Sequence, residues 1–118
     1  MNLLIVEDNK QMYRAMKSIV LDLAEDIYEC GLGSEALAAY ARHRPDWVLI
    51  DMEMAQAGGL RSVLEIKRAY PEARILIVSN YDDGDLREAA RDAGACEYVV
   101  KHDLLSVRRI LAAPTTKS

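Results

Sequence analysis

Two adjacent carboxylates, Glu7 and Asp8, a third at Asp51, a hydroxyl at Ser79 and an ammonium at Lys101 are the groups that could together accept and hold a phosphoryl group. Each stands at the end of a short apolar run: Leu3-Leu4-Ile5-Val6, Trp47-Val48-Leu49-Ile50, Ile75-Leu76-Ile77-Val78 and Tyr98-Val99-Val100. Three carboxylates brought together repel, each like-charge pair at ~4 Å by about 4 kcal/mol at an effective dielectric near 20. A divalent cation relieves this, and Mg2+ suits the set because it takes one or two carboxylates, several waters and a phosphate oxygen. Asp8 and Asp51 are the expected direct ligands, with Glu7 acting through water. An aspartate can attack phosphorus and carry an aspartyl phosphate, while the metal, the Ser79 hydroxyl and the Lys101 ammonium neutralise the transferred oxygens. Lysine fits as a compact point charge. Each of these residues alone reads as an ordinary turn or surface residue; four strand ends carrying the needed types together point to a phosphoryl site.

The site exists only if the four runs lie side by side. They are short and rich in β-branched residues, and longer helical patterns separate them, which reads as buried parallel strands. Asn9 can cap a helix carrying Met12, Met16, Ile19, Val20 and Leu23 on one face, and Ile27–Cys30 forms a weaker second strand. Ser34 is expected to cap a helix with Ala36, Leu37 and Tyr40 that stops before Pro45. A third helix with Leu60, Val63, Leu64, Ile66 and Lys67 runs up to Tyr70-Pro71. Asp82-Asp83 open a fourth, carrying Leu86, Ala89, Ala90 and Ala93 and closed by Gly94. Asp103 is expected to cap the last helix, with Leu104, Val107, Ile110 and Leu111. Strict alternation predicts a doubly wound α/β fold, a five-stranded parallel sheet with helices on both faces. The most polar strand, residues 27–30, belongs at an edge. Order 2-1-3-4-5 satisfies this and puts the switch point between strands one and three, so Glu7-Asp8 and Asp51 share a crevice at the strands' carboxyl ends.

At 118 residues, 51% apolar and 29% charged, the chain has the size and balance of one soluble globular domain. Residues 1–112 are read as that domain and 113–118 as a flexible tail or linker stub. No apolar run reaches the roughly 20 residues needed to span a bilayer. The first strand begins at residue 3 without a signal-peptide pattern, so a cytoplasmic location is expected. A net charge of −4 argues against direct nucleic-acid binding by this domain. Cys30 and Cys96 each fall in a predicted strand at opposite sheet edges. These edges are several ~4.8 Å spacings apart, beyond the about 7 Å a disulfide allows, so both are expected reduced and packed.

The motif set resembles a CheY-like receiver domain of bacterial two-component response regulators, over residues 2 to about 112. The resemblance implies that Glu7 and Asp8 are the acidic pair for Mg2+, Asp51 the phosphoacceptor, Ser79 the switch hydroxyl and Lys101 the phosphate-binding lysine. It assigns Tyr98 as the switch aromatic, the Glu53 backbone carbonyl to the metal and the Asn80 backbone amide to the phosphate. Ser79-Asn80-Tyr81-Asp82-Asp83, Gly94-Ala95 and Tyr98-Val99-Val100-Lys101 are similar to receivers joined to LuxR-type helix-turn-helix domains. The implied function is a phosphorylation-dependent switch and not an enzyme beyond its own phosphorylation and dephosphorylation. A histidine kinase supplies the phosphoryl group, Ser79 and then Tyr98 move inward, and the surface of helix four, strand five and helix five changes its affinity for an output domain or partner.

Several positions depart from the family pattern. Ala55 stands for the usual proline and Gly58 for the usual Asp or Asn ahead of the matching Gly59, which predicts a looser loop. His102 replaces the proline that often follows the lysine, making a trans peptide the default. Glu53 is expected to put a fourth carboxylate beside the metal and to alter dephosphorylation by repelling or orienting the attacking water. Two alternatives stand beside the receiver reading. One is a phosphate-independent receiver fold that signals by contact alone; the other is a haloacid-dehalogenase-type phosphohydrolase, for which Asp51-Met52-Glu53 would be the carboxylate pair. Met12, Tyr13, Met16 and residues 104–111 could hold a homodimer face, although the core needs most of them.

Overall fold

The computed structural model describes residues 1–54 and 58–113. Strands β1 (Asn2–Val6), β2 (Asp26–Cys30), β3 (Trp47–Asp51), β4 (Ile75–Ser79) and β5 (Glu97–Val100) alternate with helices α1 (Lys10–Val20), α2 (Ala36–His43), α3 (Gly58–Ala69), α4 (Gly84–Ala93) and α5 (Leu105–Ala112). All strand pairs are parallel, in the order β2-β1-β3-β4-β5 expected from the sequence. No helix among the described residues is long and apolar enough to cross a membrane.

Alternation along the strands sorts the core into two layers, because successive side chains of a strand point to opposite faces. Leu4, Val6, Val48, Ile50, Ile75 and Ile77 pack on one face with residues of α2, α3 and α4. Leu3, Ile5, Leu49, Leu76 and Val78 pack on the other with α1 and α5, through Tyr13, Met16, Val20, Val107 and Leu111. β1, β3 and β4 are therefore apolar on both sides, and the polar β2 occupies an edge.

Asn9 caps α1, its side chain accepting the Met12 amide at 2.9 Å. Asp83 caps α4 in the same way through Leu86, and Gly94 ends that helix at φ 114°, where an L side chain would be strained. Two expected caps are replaced by 3-10 turns. Ser34 lies inside the turn Gly33–Glu35 and makes no capping bond, so that turn and not a hydroxyl starts α2. Asp103 lies inside Lys101–Asp103, and its carboxylate accepts the Ser106 hydroxyl instead of a backbone amide. Cys30 is buried in β2 as expected, whereas Cys96 is exposed and precedes β5 by one residue, so it packs in no strand. Leu64 and Leu105 also turn toward solvent.

Of the loop departures, Ala55 lies outside the described residues. Gly58 adopts φ 61°, a left-handed conformation that Gly, Asn and Asp tolerate best. Gly59 has a different constraint: a Cβ there would stand 2.5 Å from the Asp51 carbonyl oxygen and 2.9 Å from the Met52 Cα. Its absence lets α3 begin directly against the end of β3, with the Gly59 amide donating to the Met52 carbonyl at 3.2 Å. Gly59→Ala should therefore destabilise the fold by ~1–3 kcal/mol, the usual range for overpacking, read as a lowered urea midpoint.

Candidate functional site

The three acidic residues meet because β1 and β3 are neighbours paired in register, Val6 opposite Ile50. Beyond Val6 the Glu7 amide donates to the Cys30 carbonyl, which keeps the chain in the ladder for one more residue before α1 begins. Asp51 is the last residue of β3, and the Met52 amide donates to the Val78 carbonyl. Glu7, Asp8 and Asp51 each place a carboxylate oxygen within 4.8 Å of the others, with Glu7 and Asp51 buried and Asp8 exposed. They line a cleft of about 500 Å³ together with Asn9, Met12, Glu53, Asn80 and Lys101.

Asp51 Oδ1 accepts from Lys101 Nζ at 2.9 Å and from the Glu53 amide at 3.0 Å. Lys101 follows β5 directly, so β4 and β5 must stack beside β3 for this contact to form. No described peptide bond is cis, so Lys101 reaches Asp51 across a trans bond to His102. Burial opposes the lysine's charge, but the carboxylates of Asp51, Glu53 and Glu7 outweigh it and hold its pKa above the ordinary value.

Glu7 is 2% exposed. Its Oε2 accepts the Asn9 amide at 3.3 Å, while its Oε1 is buried with no hydrogen-bond donor. Desolvation first, and then the neighbouring Asp51 carboxylate, push its pKa from 4.5 to about 8. A buried carboxylate oxygen without a donor, facing two more carboxylates, fits a divalent cation with oxygen ligands. Glu7 lies as close to this cluster as Asp8 and Asp51 do, each with a carboxylate oxygen within 4.8 Å of the others.

Ser79 is fully buried at the end of β4, beside Asp51 as expected. Its hydroxyl donates to Glu53 Oε2 at 2.6 Å and accepts the Tyr81 amide at 3.1 Å. The Asn80 amide donates to Glu53 Oε1 at 2.7 Å, and Lys101 Nζ lies 3.6 Å from the same oxygen. Glu53 thus departs from expectation. Among the described residues its carboxylate is not part of the acidic cluster; it turns to the donors on the other side of Asp51. Tyr98 is half-buried, and its hydroxyl donates to the Tyr81 carbonyl at 2.7 Å, with the Arg87 guanidinium 4.7 Å over its ring. The Tyr81 backbone joins Ser79 to Tyr98, a link that no spacing in the sequence announces.

The raised pKa of Glu7 has a sign. Between 4.5 and about 8 the folded chain holds a proton that the unfolded chain has released, so this group's contribution lowers stability as pH rises through that window. For the metal-free protein, Glu7→Gln should flatten this fall when urea midpoints just above 4.5 and at about 8 are compared. An identical pH dependence in both proteins would exclude a raised Glu7 pKa.

The response regulator receiver domain family matches residues 3–112. The chain is 35% identical over 101 residues to the transcriptional regulatory protein PdtaR of Mycobacterium tuberculosis, covering 83% of this chain and 48% of that protein. It is 26% identical over 121 residues to the oxygen regulatory protein NreC of Staphylococcus epidermidis, covering 95% and 56%. It thus spans about half the length of these curated relatives. A LuxR-family two-component response regulator from Aurantimonas sp. SI85-9A1 superposes with a TM-score of 0.83 at 24% identity, covering 94% of this chain and 84% of that one, a likeness of fold. With matching strand order and a family match that runs from β1 through α5, the chain belongs to the receiver domains of two-component response regulators.

Proposed function

We propose that this receiver is a working phosphorylation switch with Asp51 as its phosphoacceptor. The observation that carries the reading is the placement of Asp51: buried at the β1/β3 switch point, held by Lys101 and bordered by Glu7 and Asp8. A histidine kinase, the donor class of this family, presents phosphohistidine. An Asp51 carboxylate oxygen forms the new O–P bond as the N–P bond breaks, and the imidazole departs with the electron pair and takes up a proton. Glu7, Asp8, Asp51 and the Glu53 carbonyl are the residues that would hold Mg2+, which supplies charge neutralisation at the phosphoryl oxygens. Lys101 keeps Asp51 oriented and offers its ammonium to the transferred group. Ser79 and the Asn80 amide provide the remaining donors.

A doubly charged phosphate draws the Ser79 hydroxyl toward Asp51, and Ser79 carries the change to Tyr98 through Tyr81. Tyr98 of β5 lines a cleft that Arg87 of α4 and Ser106 and Arg109 of α5 also line, so the α4-β5-α5 surface is the output, read by an output domain or partner. Moving such a two-state equilibrium from 1:99 to 99:1 takes ~5.5 kcal/mol of differential stabilisation, within reach of a phosphate with metal, hydroxyl and ammonium contacts. Relatives named as transcriptional regulatory proteins support an output domain or partner that acts in transcription control, and a cytoplasmic setting accords with that role.

One observation favours a second reading, a module that signals without phosphate: Glu53 already engages Ser79 and Asn80. The phosphohydrolase alternative loses its ground with the family match. Intact mass after incubation with Mg2+ and acetyl phosphate separates the two remaining readings. One added phosphoryl group that vanishes in Asp51→Ala is expected, and Lys101→Ala should slow its uptake by on the order of a hundredfold, the scale of losing one oxyanion partner. No added mass on a folded native chain would favour the phosphate-independent module.

A further inference from the structure

The Ser79 hydroxyl, the Asn80 amide and the Lys101 ammonium are the three groups a phosphoryl group on Asp51 would need, and a single side chain reaches all three. Glu53 Oε2 takes the Ser79 hydroxyl at 2.6 Å; Oε1 takes the Asn80 amide at 2.7 Å and lies 3.6 Å from Lys101 Nζ. The Glu53 amide donates to Asp51 Oδ1, which pins its backbone over the phosphoacceptor while the side chain bends to the far donors. The bridge joins the turn after β3 to the end of β4, and the Glu53 side chain is 23% exposed, so it sits in the cleft and not out in solvent.

The consequence runs outward through continuous hydrogen bonds. With its proton given to Glu53, the Ser79 oxygen accepts the Tyr81 amide, and the Tyr81 carbonyl accepts the Tyr98 hydroxyl. An anion fixed at Ser79 therefore fixes the Tyr98 ring against α4, under the Arg87 guanidinium. We propose that Glu53 is a built-in anion of this receiver: its carboxylate occupies the phosphoryl oxygens' donors, so that phosphorylation displaces one anion by another and the Ser79–Tyr81–Tyr98 chain is engaged before any phosphate arrives. The signal then lies in the exchange of anions, and Glu53 sets both the ease of phosphoryl entry and the resting position of Tyr98. Charge-assisted hydrogen bonds, the stronger class, make the competition substantial.

The proposal rests on the phosphoacceptor reading of Asp51, and the test keeps the two apart. Beryllium fluoride with Mg2+, a stable stand-in for the phosphoryl group, is titrated into the native chain, Glu53→Ala and Glu53→Gln, and binding is followed by fluorine NMR. Removal of one competing carboxylate should tighten binding by about tenfold in Glu53→Ala, the effect of roughly one charge-assisted hydrogen bond, with a smaller gain in Glu53→Gln, which retains a single acceptor. In the same proteins without fluoride or metal, the Asn80 amide proton should move upfield and the Tyr98 ring signals should shift on Glu53→Ala. Native binding that neither variant tightens overturns the built-in anion and leaves Asp51 as acceptor. An Asn80 amide unmoved in both variants overturns it as well. Failure of all three proteins to bind the stand-in defeats the phosphoacceptor reading and the competition with it.

Discussion

The repulsion among carboxylates drawn out of water at the β1/β3 switch point is the constraint around which this receiver is arranged. Asp51 and Glu7 are 3% and 2% exposed, and Asp8 closes the cluster from the solvent side. Nothing in the hydrophobic layers beneath them offsets that charge, since Val6, Ile50 and Val78 bring only apolar surface to the strand ends. Three forms of compensation surround the cluster. Lys101 delivers a cation to Asp51 from β5, and Glu7 retains a proton to about pH 8. The set of oxygen ligands leaves room for a divalent ion. Each lowers the mutual repulsion of the clustered carboxylates, and under the proposed phosphoacceptor role each would also ease the approach of a phosphoryl group.

Glu53 stands on the other side of Asp51 and faces the opposite problem. Ser79 is fully buried and Asn80 and Lys101 point donors into the same small space, a concentration of positive potential that wants an anion. The acidic and the donor halves of the cleft are thus separated by Asp51 itself, which belongs to both. Gly59 matters for the same geometry, since the turn after β3 that aims Glu53 has backbone passing where a Cβ would have to be. Local chain path, charge placement and the route to Tyr98 are consequences of how one strand ends.

Much of this arrangement is legible in the sequence. Apolar runs of three or four residues with polar stops specified the strands, and the weak, polar character of residues 27–30 put β2 at an edge, which the order 2-1-3-4-5 satisfies. Asn9, Asp83 and Gly94 act as caps because their chemistry is local. What escaped was set by tertiary context. Ser34 and Asp103 had cap-like identities, but tight 3-10 turns took over the helix starts. Cys96 fell one residue outside its strand and into solvent. The direction of Glu53 was illegible because its partners stand at and just past the end of β4, 26 and 27 residues away, and only the folded turn decides which donors it meets. The Tyr81 bridge to Tyr98 is made by backbone atoms, which carry no residue signature.

Chemical localisation of the phosphoryl group tests the account at its centre. Borohydride reduces an aspartyl phosphate to homoserine, so the protein treated with acetyl phosphate and Mg2+, reduced and then digested, reports the acceptor by peptide mass. The expected result is homoserine at position 51, with Asp8 and Glu53 unmodified. Reduction product at Asp8 or Glu53, or none at position 51 in a chain that has gained phosphate, would contradict it.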